Sequence, residues 1–295
     1  MICAAWTKDW ETVKILLKQK DVDLNLNQGK LGLLHLAYWD YNYEMMKFLL
    51  QDQRIDVNWK NSQGASLLFL ACRDENFPLI QLLLNHPNIN PNSIDLEGHY
   101  TPLHYTSFHN QTKVAKLLLS HKNIDVNQIV GEATAFFIAC QEGKIEMFTL
   151  LLNDPRTDLN RPGAEGISPL LILCDRGDLP FIKLLLSSKR EIDLTPKWEN
   201  MSALEIAKYH TTHNDNVQLT REKEVYEEIY QLLVSYRENR FEVVWNLRKE
   251  LGFHGFFFFF FFFFFFLKFF FFFFFFFFFQ NFIFLSTHNK YHQIK

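Results

Sequence analysis

The sequence predicts an all-α fold, an α-solenoid of about seven stacked helix-turn-helix repeats joined by β-turn fingers. Two recurring motifs carry that prediction. The stretches DVDLN, RIDVN, NINPN, NIDVN, RTDLN and EIDLT end at Asn25, Asn58, Asn92, Asn127, Asn160 and Thr195, with gaps of 33, 34, 35, 33 and 35 residues. A leucine block precedes each in turn: Leu16-Leu17, Leu49-Leu50, Leu82 to Leu84, Leu117 to Leu119, Leu150 to Leu152 and Leu184 to Leu186. Two unlike motifs that keep one period indicate a supersecondary unit that buries its apolar face only against its neighbours.

Each unit reads as turn, short helix, short helix, loop. The fourth, EGHYTPLHYTSFHNQTKVAKLLLSHKNIDVN, shows why. Gly98 suits a turn, Thr101 can cap the coming helix, and Pro102 fits its first turn, where a missing N–H costs little. Val114, Leu117 and Leu118 recur at helical spacing in a second helix that ends near Ser120. At the N-terminus, aligning Ala4 with Ala37 sets Leu16-Leu17 on Leu49-Leu50, so the first repeat opens inside a helix and reads as incomplete. In the seventh, Leu232-Leu233 lies 25 residues after Ala207 instead of the usual 12, which places an insertion near 210–222. The charged helix after it, REKEVYEEIYQLLVSYRENR, reads as the cap that ends the array at 234. RFEVVWNLRKELGF, within 235–255, reads as one more amphipathic helix with Val244, Leu247 and Leu251 on one face.

This pattern resembles the ankyrin repeat, whose Thr-Pro-Leu-His hallmark stands complete at Thr101, Pro102, Leu103 and His104. Degenerate versions occupy Gly32 to His35, Ser66 to Phe69, Thr134 to Phe137, Ser168 to Leu171 and Ser202 to Glu205. The resemblance covers residues 1–234 and implies a non-catalytic scaffold that binds protein partners through a concave surface. In such repeats the motif histidine, here His35 and His104, ties the turn by hydrogen bonds.

Composition excludes several other classes. The 30 Lys and Arg against 33 Asp and Glu leave a net charge of −3 with no basic stripe, which argues against nucleic acid. No glycine-rich phosphate loop, His-Glu-x-x-His, Cys-x-x-Cys or Gly-x-Ser-x-Gly is present. No enzyme, cofactor, metal or small-molecule substrate is therefore expected. Cys72, Cys140 and Cys174 share one repeat position, too far apart for disulfides, and read as small buried apolar groups. His210 and His213 near Asp215 have no further ligand in sight for a metal. The opening MICAAWTKDWE reaches charge before an apolar core forms, so a signal peptide is not expected and a reducing cytoplasm is.

The resemblance also marks the concave positions, the two residues after the Ala-Ala-like pair of each first helix. They are Trp6 and Thr7, Trp39 and Asp40, Arg73 and Asp74, and Phe108 and His109, then Gln141 and Glu142, Asp175 and Arg176, and Tyr209 and His210. The first four repeats offer Trp6, Trp39, Arg73 and Phe108, residue types enriched in binding hot spots. Trp59, Tyr100 and Trp198 add aromatic surface at the turn tips. The expected partner-binding set is Trp6, Trp39, Asp40, Arg73, Asp74, Phe108, His109, Trp59, Tyr100, Gln141 and Arg176, with Trp39 and Phe108 as anchors.

Two blocks of eleven phenylalanines, split by Leu267 and Lys268, fill Phe256–Phe279. At 1.5 Å per residue the tract would span about 36 Å, and its insertion term of roughly −7 kcal/mol outweighs about +3 for Lys268. It therefore suits a tail anchor with the repeats on the cytoplasmic side. Real spans mix residue types, however, whereas a run of TTT codons yields only Phe, so the leading reading is a T-rich DNA stretch carried into the coding sequence. A soluble low-complexity tail is the third reading, and 280–295 has no assignable pattern. Two rival functions stay open beside the cytoplasmic scaffold: a tail-anchored membrane adaptor, and the regulatory arm of a larger signalling protein or enzyme.

Overall fold

The computed structural model describes residues 1–19, 32–95, 99–213 and 220–253. The motif ending at Asn25, the Gly98 turn, residues 214–219 of the insertion, the phenylalanine tract and the 280–295 tail lie outside the described residues. The chain divides into two compact units, Met1–Val244 and Trp245–Lys295.

The first unit is a stack of helix pairs. They are α1 (Ile2–Trp6) with α2 (Trp10–Leu17), α3 (Leu33–Trp39) with α4 (Tyr43–Leu50), α5 (Leu67–Arg73) with α6 (Phe77–Leu84), and α7 (Pro102–Phe108) with α8 (Thr112–Ser120). The stack continues with α9 (Ala135–Gln141) and α10 (Ile145–Leu152), α11 (Pro169–Asp175) and α12 (Leu179–Leu186), and α13 (Ala203–His213) and α14 (Thr220–Glu238). Helices this short are marginal alone and depend on caps and packing. Ser66, Thr101, Thr134 and Ser168 each accept a hydrogen bond from the backbone N–H three residues on, which caps α5, α7, α9 and α11. Asp9, Asn42 and Asn76 do the same for the second helices α2, α4 and α6.

Burial follows from position in the stack. Every residue of Leu33–Tyr38, Leu67–Cys72 and Ala135–Cys140 is buried, because each first helix is sandwiched between first helices and covered by a second. The second helices bury one stripe only, as with Met45, Met46 and Leu49 or Leu79, Ile80 and Leu83.

The repeated Asn of the loop motif proves to be a clamp. Asn127 Nδ2 donates to Arg156 O at 2.8 Å, and its Oδ1 accepts from Asp158 N at 2.7 Å. Asn58, Asn92 and Asn160 grip the following loop in the same way. The residue two positions earlier, Asp56, Asn90, Asp125 or Asp158, orders each of these loops, as where Asp125 Oδ1 accepts from Asn127 N at 3.0 Å. Thr195 has no side-chain amide, and among the described residues it bonds within its own motif, to Asp193. Beyond it the chain forms a two-stranded antiparallel hairpin, β1 (Lys197–Trp198) with β2 (Met201–Ser202).

The turn between paired helices holds one residue at positive φ: Lys8 (61°), Tyr41 (52°), Glu75 (52°), Asn110 (56°), Gly143 (63°) and Gly177 (66°). Only the last two are glycine, the residue that suffers no Cβ clash there. In the seventh repeat α13 and α14 run to 11 and 19 residues, and α14 folds back on α12. Its Tyr226 hydroxyl donates to Asp175 O at 2.8 Å, and Lys183 pairs with Glu228 at 2.8 Å.

A last helix, α15, spans Arg240–Glu250. Its buried residues are Val243 and Leu247, four apart, so the apolar line starts at Val243 and not at Val244, which is only partly covered. Among the described residues no helix is long and apolar enough to cross a membrane.

Candidate interaction surface on the first helices

The first helices end in a column of side chains at one repeat position. In α3, α5 and α9 every residue before the last is buried, so the last residue is the first to reach solvent; α1 buries only Ala5. Trp6, Trp39 and Phe108 are 56%, 48% and 38% exposed, and Tyr209 is 46% exposed in the seventh repeat. Around Phe108 the aromatics touch: Tyr100 lies 6.2 Å away and His109 5.1 Å between ring centroids. His109 in turn lies 4.2 Å from Tyr105, whose ring meets Phe69 edge-on at 5.2 Å.

The polar members of the column are engaged within the stack. Asp40 accepts from Trp10 Nε1 at 2.6 Å and pairs with Lys8 at 2.5 Å, and the Lys8 and Trp10 bonds hold its carboxyl below the usual range. Asp74 is paired with Arg73 at 2.8 Å and accepts the Tyr38 hydroxyl, which likewise lowers its pKa, the Arg73 bond most. Arg176 donates to the Gln141 carbonyl and to Asp178 at 2.6 Å. Gln141 itself is exposed.

The turn-tip residues divide. Tyr100 is half-buried against Phe108. Trp59 lies over Gly32 of the preceding repeat, where an added Cβ would come within 3.0 Å of its ring, so this indole is a contact between repeats. The buried Nε1 atoms of Trp59 and Trp198 have no hydrogen-bond partner among the described residues. Sequence reasoning passed over Tyr41, which is 91% exposed on its strained turn, because a positive-φ turn without glycine leaves no local signal.

The groups considered for chemistry serve packing. Cys72, Cys140 and Cys174 are free and fully buried, and desolvation pushes their thiols up. His35 and His104 donate from Nε2 to Ala65 O at 3.2 Å and Ala133 O at 3.1 Å, so each ring ties its helix to the turn of the following repeat. His104 Nδ1 also accepts the Thr101 hydroxyl at 2.6 Å, and burial lowers the pKa of both rings. His210 stacks on Tyr226 at 4.5 Å with Nε2 3.3 Å from Asp175, whereas the His213 side chain and Asp215 lie outside the described residues. Among the described residues no three His, Cys, Asp or Glu side chains gather as a metal site.

Three solved structures share this architecture. The ankyrin repeat protein EF0377 superposes with a TM-score of 0.55 at 21% identity, over 69% of this chain and 96% of its own. An ankyrin repeat domain from Acinetobacter baumannii AYE gives 0.54 at 22% identity, over 64% and 97%. The ankyrin repeat domain of Bcl-3, a member of the IkappaB protein family, gives 0.60 at 20% identity, over 69% and 91%. At these identities the likeness establishes the fold. A family model described as ankyrin repeats (3 copies) matches residues 34–130 and again 131–237. Such repeats generally mediate protein–protein interaction and are generally without catalysis. With the loop clamps, the histidine ties and two matched blocks that fill most of its length, the chain belongs to the ankyrin repeat family.

Proposed function

We propose that the protein is a non-catalytic scaffold of the cytoplasm whose array, residues 1–234, holds a protein partner against the exposed ends of its first helices. The observation that carries this reading is the open aromatic column. Three large rings, Trp6, Trp39 and Phe108, stand at one position of the first helices, and α3 and α7 otherwise bury almost everything. Exposed Trp and Phe in register are costly in water and gain most from desolvation by a partner. Arg73 supplies a cation between Trp39 and Phe108 in the same column.

Trp39→Ala and Phe108→Ala test it. Each should weaken capture of the protein's cellular partners about tenfold or more, which corresponds to at least about 1.4 kcal/mol. The fold, followed by far-UV circular dichroism, should persist. Partners retained at wild-type strength by both folded variants would show that the site lies elsewhere.

A further inference from the structure

We propose that this column is built for a proline-rich segment in polyproline II conformation that carries basic side chains; the inference rests on the scaffold reading above. The first argument is spacing. Packed helices stand about 8–10 Å apart, so Trp6, Trp39, Arg73 and Phe108 recur at about that interval. A polyproline II helix repeats every three residues at about 3.1 Å each, or about 9.3 Å, so every third residue meets a successive step of the column. A β-strand, whose side chains alternate faces, puts every third residue on the opposite side.

The second argument concerns what lies between the rings. An amphipathic α-helix repeats at i+7, about 10.5 Å, but it presses a continuous apolar stripe onto its site. Here the strip between Trp39 and Phe108 holds Asp74, paired with Arg73 and the Tyr38 hydroxyl, and Asp40 beside Trp39 is paired with Lys8. An apolar stripe would desolvate those ion pairs at a cost. A polyproline II chain touches a site through isolated rings and leaves its carbonyls free to accept. The exposed Arg73 guanidinium and the His109 ring are donors for them.

The third argument is charge. Along the four repeats of the strip Asp40, Asp74 and Glu75 outnumber Lys8 and Arg73 by one. Lys or Arg at the solvent-facing positions of the ligand complements that excess.

The test uses the full chain and synthetic fluorescent peptides of about a dozen residues, long enough to cross the roughly 24–30 Å of four repeats. One carries Pro at every third position with interspersed Lys. A second has each Pro replaced by Ala, and a third is an amphipathic helix former with Leu at heptad spacing. By fluorescence anisotropy the proline peptide should bind about tenfold tighter than its alanine version and weaken as salt rises. Trp39→Ala and Phe108→Ala should each weaken it at least about fivefold, and Phe48→Ala on the second helix α4 should leave it unchanged. Equal affinity for the proline and alanine peptides overturns the proposal. If the helical peptide alone binds and is lost in Trp39→Ala, the polyproline assignment falls while the site stands. If binding of every peptide ignores both substitutions, the polyproline assignment and the site fall together.

Discussion

The first four repeats and the later ones place large rings at different slots of the repeat. In the early repeats large rings end the first helices and face solvent, as with Trp6, Trp39 and Phe108. In the fifth and sixth the rings lie inside: Phe136, Phe148 and Phe181 form a buried run, with Phe148 5.2 Å from Phe136 and 4.9 Å from Phe181. The corresponding column positions there are Gln141 and Asp175. The helix turns differ too, with glycine at Gly143 and Gly177 but Lys8, Tyr41, Glu75 and Asn110 in the early repeats. Composition by residue type therefore says little about a repeat protein; the slot within the repeat decides whether a ring holds the stack together or is left open.

The largest effect should come from the buried run. Phe148 is fully buried between two rings, so Phe148→Ala should cost about 3–5 kcal/mol, the range for an aromatic deleted from a packed core. Trp39→Ala, at a half-exposed position, should cost about 1 kcal/mol or less. Chemical denaturation followed by far-UV circular dichroism reads both. Equal losses would break the comparison and place Trp39 in the core.

The clamps give a smaller effect that should not distinguish the two regions. Asn58→Ala in the early repeats and Asn127→Ala at the boundary each remove two hydrogen bonds to the next loop. Each should lower stability by about 1–2 kcal/mol. Among the described residues Thr195 makes no such bonds across repeats, and Thr195→Ala should change stability by about 0.5 kcal/mol or less. A clear difference between Asn58 and Asn127 in unfolding midpoint would mean that the two halves are coupled to their neighbours with unequal strength.

The fold was legible in the sequence because stacking forces one period on every unit: a pair of short helices, a leucine block to pack, and an Asn to grip the next loop. Thr101, Pro102 and His104 could be read as a helix start, and their observed cap and ring bond carry out that chemistry. The mechanism of the Asn was not readable, since its partners are backbone atoms about 30 residues away. Nor was the engagement of Asp40 by Trp10 or of Asp74 by Tyr38, contacts between repeats that follow from stacking geometry. The last helix was misread by one residue, Val244 for Val243, because both are valines and only the packed side separates them. The turns were missed for a similar reason. A local scan looks for Gly at positive φ, and four of these turns adopt it without Gly.

That last point supplies the smallest and most direct way to sharpen the comparison. Tyr41 holds φ at 52° and is 91% exposed, so its side chain contributes little burial against the strain of the left-handed backbone. Tyr41→Gly relieves that strain but adds freedom to the unfolded chain, and the balance should favour the variant by about 0.5–1 kcal/mol. The later repeats should respond with the opposite sign. At Gly177, with φ at 66°, an added Cβ would meet the Tyr226 ring at 3.1 Å, so Gly177→Ala should destabilise by about 1 kcal/mol. Unfolding midpoints of the two variants read the sign directly. If Tyr41→Gly also leaves peptide binding untouched, the early turns carry strain that recognition does not use; if it stabilises the array while weakening binding, Tyr41 belongs to the recognition surface and its strain is retained for contact with the partner.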